Sequence, residues 1–245
     1  MPANSAKIRL ILDLARQVAA ADRTRILDVG AGGRNSPFNL WEPFVSYAGR
    51  IDLTGIDVAY LPETAARAAE LAFPIKLHSG GVESIVDQFG RAAFDAVVCT
   101  QLLEQLPRWK DGVARMCEVL KPGGVLYVTC ESGDKSHSAS TRLKLEGKRT
   151  YARLIDKTPR LRKAAGRFFS GEWEKAPGLV ELRECAASCG VEVQVARHYG
   201  LRNLKAMQRY LDAEGRLLSL ALEEAAPSGD PGDYLLLYVR AVRQR

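Results

Sequence analysis

Apolar residues along this chain alternate between helical spacing and short unbroken runs. Over residues 7–21, Ile8, Ile11, Leu12, Leu14, Ala15 and Val18 share one helical face. Residues 25–29 then form a solid run ended by glycines, as a buried strand does. Ser36-Pro37 supplies an N-cap with Pro at the first helical position and opens an apolar segment through Tyr47. A strand over 51–57, an Ala-rich helix over 61–72, a short strand over 74–78 and a strongly apolar strand over 94–100 follow. A helix over 108–120 closes on Lys121-Pro122-Gly123-Gly124 and leads into a fifth strand over 125–130. Strands separated by helices of this length predict a parallel sheet covered on both faces, a doubly wound α/β fold.

Past Cys130 the rhythm breaks. Residues 133–176 carry twelve Lys and Arg against five Asp and Glu, a local +7 that exceeds the +6 of the whole chain. The alternation resumes with a helix over 179–189, a strand over 191–197, a long helix at about 203–224, a Pro/Gly-rich loop and a last strand over 234–242. The reading is one domain over 1–245. It contains an N-terminal helix (1–22), a basic insertion (133–176) and a helical insertion before the last strand (203–232). The basic stretch leaves the fifth strand, where a lid over a substrate would start. A solvated helical elaboration is the other reading of the same charges.

The chemistry concentrates at two strand ends. In Ile26-Leu-Asp-Val-Gly-Ala-Gly-Gly-Arg34, glycines follow a strand and precede a helix. Missing side chains let a ligand press on backbone, and a helix N-terminus offers unpaired N–H donors. The next strand ends at Asp57, where an acid is positioned to accept ribose hydroxyls. Together the two features indicate an adenosine-type ligand. A dinucleotide fingerprint would need a small third residue, and Asn35 stands there.

Composition removes other classes. At 47% hydrophobic and 26% charged the chain is globular, neither disordered nor collagenous. No run approaches the ~20 apolar residues of a membrane span, and the N-terminus has no signal-peptide core. Five scattered cysteines without a C-x-x-C pair suit a reducing, cytoplasmic setting. Cys185 and Cys189 read as core residues rather than a redox pair. No His/Cys cluster or carboxylate trio marks a metal.

Four segments in register carry a resemblance: Asp28-Val-Gly-Ala-Gly-Gly, Gly55-Ile-Asp-Val58, Phe94-Asp-Ala-Val-Val-Cys-Thr-Gln-Leu-Leu-Glu-Gln105 and Val119-Leu-Lys-Pro-Gly-Gly-Val-Leu126. Over about residues 24–130 the chain resembles the class I S-adenosylmethionine (SAM)-dependent methyltransferases, in their small-molecule branch. The resemblance implies a Rossmann-like seven-stranded sheet, mostly parallel with an antiparallel last strand, and SAM as methyl donor. Carried over by position, Asp28, Gly30, Ala31 and Gly32 would face the methionine part and Asp57 the ribose. Val58 would pack on adenine, with Val82, Glu83 and Thr100 completing the cofactor set. The family's Gly-Asp-Ala/Val appears here as Gly81-Val82-Glu83, without the Asp. Its Leu-Glu-His-Val appears as Leu103-Glu104-Gln105-Leu106, so the base that His supplies in relatives is lost. Its usual third glycine is Arg34.

A sulfonium-activated methyl needs chiefly an aligned nucleophile and excluded water, and positioning alone can supply ~7–11 kcal/mol. Gln101, after the fourth strand, and His137, beyond the fifth, are the candidates for catalysis. His78 reads as structural, and His198 as a loop residue after the sixth strand. The acceptor is expected to be a small molecule attacked through O or N. Twelve cations beside the site would suit an anionic or carrier-linked acceptor. RNA methylation through the basic lid, contact with a membrane surface, a non-catalytic SAM-binding protein and an NAD(P)-dependent dehydrogenase are the alternatives.

Overall fold

Three strands meet at the centre of this protein: β1 (Thr24–Val29), β2 (Ile51–Asp57) and β4 (Phe94–Thr100), with β1 paired in parallel to both others. The computed structural model describes residues 5–32, 40–60, 62–71, 73, 75–134, 176–201, 220–221, 223–225, 230–231 and 234–244. Beyond β2 lies β3 (Lys76–Ser79), and beyond β4 lies β5 (Leu120–Glu131), both parallel to their neighbours. β7 (Tyr234–Arg243) inserts antiparallel between β5 and β6 (Val191–Leu201), giving the order β3-β2-β1-β4-β5-β7-β6. The sheet is therefore seven-stranded and Rossmann-like, with the last strand alone reversed.

Alternation along β4 divides the core. Val97 and Cys99 face one side; Ala96 and Val98 face the other. On the first side lie α3 (Ile85–Phe89), α4 (Trp109–Val119) and α5 (Leu179–Ser188). α1 (Ser5–Ala19), α2 (Pro62–Glu70) and a 3₁₀ helix (Glu42–Arg50) cover the second. Helices on both faces remove both from water, which is why β1 and β4 read as solid apolar runs rather than alternating ones.

The chain corrects the sequence reading in several places. α1 buries Ala6, Leu10, Leu14 and Val18, while Leu12 is 41% exposed. The helix is turned so that Asp13 faces inward, where its carboxylate accepts the Tyr238 hydroxyl at 2.8 Å. After the glycine turn, Ser36-Pro37 lies outside the described residues; Leu40 and Trp41 are α-helical, and the helix tightens to 3₁₀ over Glu42–Arg50, with Pro in its first turn. The third strand begins at Lys76. Lys121–Gly124 lies within β5 as an irregularity: Phe94 pairs with Leu120, but Ala96 with Val125. β6 runs on to Leu201, so His198 is a strand residue opposite Leu237 and not a loop residue. Most of the predicted 203–224 helix lies outside the described residues, as do 135–175 of the basic insertion. Among the described residues, no helix is long and apolar enough to cross a membrane.

The strand order reverses between β1 and β4, since the chain builds outward through β2 and β3 before returning to the other side of β1. In doubly wound sheets the loops leaving two such strands diverge, and the crevice at their carboxyl ends is where ligands bind.

Candidate functional site

The glycine turn and the second acid form one unit at that crevice. After β1 the chain bends toward β2, with Gly30 N–H donating to Ile56 O at 2.9 Å and Ala31 N–H to the same oxygen at 3.3 Å. Gly30 has φ +89°, a left-handed conformation that side chains rarely adopt. Gly32 N–H donates to Asp57 Oδ2 at 2.8 Å, and Ala59 N–H to Asp57 Oδ1 at 3.3 Å. A Cβ on Gly32 would lie 2.3 Å from Ala59 O and 2.7 Å from Asp57 Cγ, so only glycine fits. The next residue, Val58, is 68% exposed, an apolar face with nothing over it. Tyr60 follows, its hydroxyl donating to His78 O at 2.9 Å. Burial, with Asp57 and Asp28 nearby, raises the Tyr60 phenol above its usual range.

Asp28 lies deeper, with no exposed surface. Its Oδ2 accepts the Trp41 indole N–H at 2.8 Å. Its Oδ1 is buried without a hydrogen-bond partner among the described residues. Burial pushes the carboxyl up to about 6; the Trp41 hydrogen bond and Lys7 oppose this, and Asp57 adds to it. Lys7, on α1, is held below the usual lysine range by burial, with Asp28 pulling the other way. A desolvated carboxylate with one unused oxygen suits an incoming cationic donor.

Thr100 and Gln101 end β4 beside this. Gln101 N–H extends the ladder to Thr129 O at 2.7 Å. It does so at φ +55°, a conformation costing a non-glycine residue about 1 kcal/mol or more. Gln105 Nε2 holds Gln101 O at 2.6 Å, while Gln101 Nε2 is buried with no partner among the described residues. This is a desolvated donor on a strained turn, at the carboxyl end of the sheet. Leu102 closes over the glycine turn, 3.2 Å from where a Gly30 Cβ would be.

The predicted residues divide accordingly. Asp28, Gly30, Ala31, Gly32, Asp57, Val58, Thr100 and Gln101 converge on the crevice. Val82 is buried in the core, and Glu83 is exposed. The Glu83 carboxylate lies over Gly81, where a Cβ would sit 2.2 Å from it. His137 and Arg34 lie outside the described residues. His78 stacks edge-on to Phe89, with ring centroids 5.0 Å apart.

Sequence reasoning missed Lys7, Trp41 and Tyr60, whose positions follow from packing alone. It also missed a pair beyond the carboxyl end of β5. His198 Nε2 lies 3.1 Å from Asp134 Oδ2, and the same oxygen accepts Leu179 N–H at 2.7 Å at the start of α5. Tyr234 flanks the imidazole, with centroids 5.6 Å apart. Gly133 N–H donates to Pro177 O at 2.8 Å, so the residues on either side of the basic stretch meet at the end of β5.

A family described as a methyltransferase domain matches residues 27–128. A ubiquinone biosynthesis O-methyltransferase of Alkalilimnicola ehrlichii is 31% identical over 127 residues, covering 51% of this chain and 49% of that protein. The chain spans about half the length of the curated relatives it matches first. Among solved structures, phosphoethanolamine N-methyltransferase 2 of Haemonchus contortus, in complex with SAM, has a TM-score of 0.62 at 14% identity. That match covers 97% of this chain and 53% of the other. The 1,6-didemethyltoxoflavin-N1-methyltransferase of Burkholderia thailandensis, with S-adenosylhomocysteine bound, has a TM-score of 0.56 at 15% identity, covering 98% and 79%.

Proposed function

We propose that this chain is a class I SAM-dependent methyltransferase that transfers a methyl group from SAM to an oxygen of a small-molecule acceptor. The observation that carries this reading is the glycine turn held by Asp57 beside the unpartnered oxygen of Asp28, at the reversal of strand order. The curated relatives' names, all O-methyltransferases of ubiquinone biosynthesis, support oxygen as the atom attacked.

The residues present fit SAM. Asp28 Oδ1, buried and unpaired, would accept from the amino group. Asp57 would take the ribose hydroxyls on lone pairs that its bonds to Gly32 and Ala59 leave over. The exposed Val58 would pack on adenine. When bound, SAM supplies an electrophilic methyl on a positively charged sulfur.

Everything else is alignment and proton removal. Gln101 Nε2 would donate to the acceptor and hold its oxygen in line, gaining the bond it now lacks. His198 is our choice of proton acceptor. A carboxylate can only accept, so Asp134 holds the Nε2–H tautomer and leaves the lone pair on Nδ1. The twelve cations of 133–176 lie in sequence between Gly133 and Pro177, which meet at this end of β5, and their charge supports an anionic or carrier-linked acceptor.

The experiment is parallel calorimetric titration with SAM, S-adenosylhomocysteine, NAD and NADP, followed by transfer of labelled methyl to phenolic and carboxylated acceptors. Micromolar binding of SAM and its product, with no response to the nicotinamides, is the expected result. Binding of NAD alone would overturn the reading.

A further inference from the structure

We infer that the cleft between α1 and β6 is a second ligand site, one that takes a small oxyanion, phosphate or carboxylate, carried on a compact apolar group. The cleft is lined by Arg9, Gln194, Val195, Ala196, Arg197 and Tyr199. It lies at the edge of the sheet, on the face that α1 covers. Four strand spacings, about 19 Å, separate β6 from β1 and its glycine turn, so the cleft is distinct from the cofactor crevice. Its volume of about 360 Å³ is at the small end of ligand pockets.

A break in the outermost strand shapes one wall. β6 pairs Val193 with Ala241 and Val195 with Arg240, so Gln194 is an extra residue on the edge strand. Such a bulge re-aims side chains and interrupts the regular edge. Gln194 Oε1 accepts from Arg240 Nη1, which leaves the amide nitrogen of Gln194 to donate. Arg240 stands opposite Val195 in the ladder, and its buried Nε has no partner among the described residues.

The charges around the cleft leave one cation over. Arg9 is committed to carboxylates, Nε to Asp13 Oδ2 at 2.9 Å and Nη1 to Glu224 Oε1 at 2.7 Å. Asp13 also takes Arg16 at 3.0 Å, and Glu224 Oε1 also accepts the Tyr199 hydroxyl at 3.0 Å. Arg197 forms no ion pair among the described residues. Its Nη2 donates to the backbone carbonyls of Glu223 at 3.4 Å and Glu224 at 3.2 Å, which orients the guanidinium and leaves its Nε and Nη1 for a ligand. The Glu223 carboxylate does not neutralise it: its Oε2 is held by Ser5 Oγ at 2.7 Å and Gly200 N–H at 2.9 Å, and its Oε1 has no partner among the described residues. A guanidinium fork matches two oxygens of a carboxylate or phosphate, and the Gln194 amide adds a third donor. Val195 and Ala196 supply the apolar wall for the rest of the ligand.

The test is calorimetric titration of the whole protein with phenyl phosphate, benzoate and phenol, at about 0.15 M salt, where exposed charges are screened. Saturable binding at one site is expected for phenyl phosphate or benzoate, the tighter of the two identifying the oxyanion, and none for phenol. Arg197→Gln removes the uncompensated charge and should weaken that binding about tenfold or more. Gln194→Glu, at an exposed position, keeps an acceptor for Arg240 but sets a carboxylate against the ligand. It should weaken binding as much, and it keeps the test sound if the Arg197 variant fails to fold. Saturating S-adenosylhomocysteine should leave the affinity unchanged. Absence of saturable binding, phenol binding as tightly, unchanged affinity in Gln194→Glu, or competition by S-adenosylhomocysteine would each overturn the proposal.

Discussion

Asp57 Oδ2 accepts the Gly32 N–H at 2.8 Å, so the acid ending the second strand also closes the glycine turn that ends the first. The two strands are parallel neighbours in register, with Asp28 opposite Gly55 and Val29 opposite Ile56. That register brings residues 25 positions apart into one cradle before any ligand arrives. A preformed cradle lowers the ordering cost of binding.

Asp57→Ala removes the acceptor for Gly32 and Ala59 together with the proposed ribose ligand. Hydrogen bonds to a charged group are worth ~1.5–3 kcal/mol, so SAM affinity should fall about ten- to a hundredfold. Calorimetric titration measures this, and circular dichroism should report an intact fold. Unchanged affinity would remove Asp57 from the site.

Gly32→Ala tests the same cradle by steric means. The added methyl would meet Ala59 O at 2.3 Å and the Asp57 side chain at 2.7 Å, and the backbone oxygen cannot yield cheaply. SAM binding should disappear. In contrast, Gly90→Ala, where no neighbour lies within reach but φ is +79°, should lower stability while leaving affinity unchanged.

Asp28 links pH to stability and to binding with opposite signs. Burial raises its folded pKa to about 6, above an unfolded value near 4. The folded state therefore holds the proton more tightly. This group's contribution to stability is fully present below about pH 4 and is lost as pH rises through 6. Asp28→Asn should stabilise the protein at pH 7.5 by on the order of 2 kcal/mol and flatten the dependence between pH 4 and 6, as read by urea unfolding. Binding of a cationic amino group needs the ionised form, so wild-type SAM affinity should weaken below pH 6. The variant should bind weakly at every pH.

Asp134 caps α5 from a distance as well as holding His198. Asp134→Ala should cost about 1–2 kcal/mol, the scale of a lost cap. His198→Gln should leave SAM affinity unchanged and lower kcat. An unchanged kcat would place the proton acceptor elsewhere.

The triple substitution Arg160→Ala, Arg162→Ala, Lys163→Ala tests the basic stretch. Affinity for SAM should hold while the KM of an anionic acceptor rises. An unchanged KM for every acceptor would leave those charges as a solvated face.

How much of this was legible beforehand varied by element. Ile51–Asp57 and Phe94–Thr100 match their expected bounds, because solid apolar runs between polar breaks leave little freedom. α1 was found with Leu14 and Val18 in the core and Ile8, Ile11 and Ala15 packed against it, yet Leu12 is exposed and Ala6 and Leu10 take the deepest positions. Helical spacing marks which residues share a face, whereas the Asp13–Tyr238 bond decides which way the face turns. Asp28 and Asp57 were visible because strand ends followed by glycines mark ligand positions. Trp41, Lys7 and the His198–Asp134 pair were invisible, since each lies far along the chain from its partner.

The sequence by itself determined the sheet, the turn chemistry and the methyltransferase motifs, for these are local properties: periodicity, missing side chains, and acids at run ends. Only the tertiary structure decided which carboxylate is desolvated and which imidazole is held by which acid. Those depend on burial and on distances of a few ångströms between distant segments, and hydrogen bonding and charge solvation change steeply over that range.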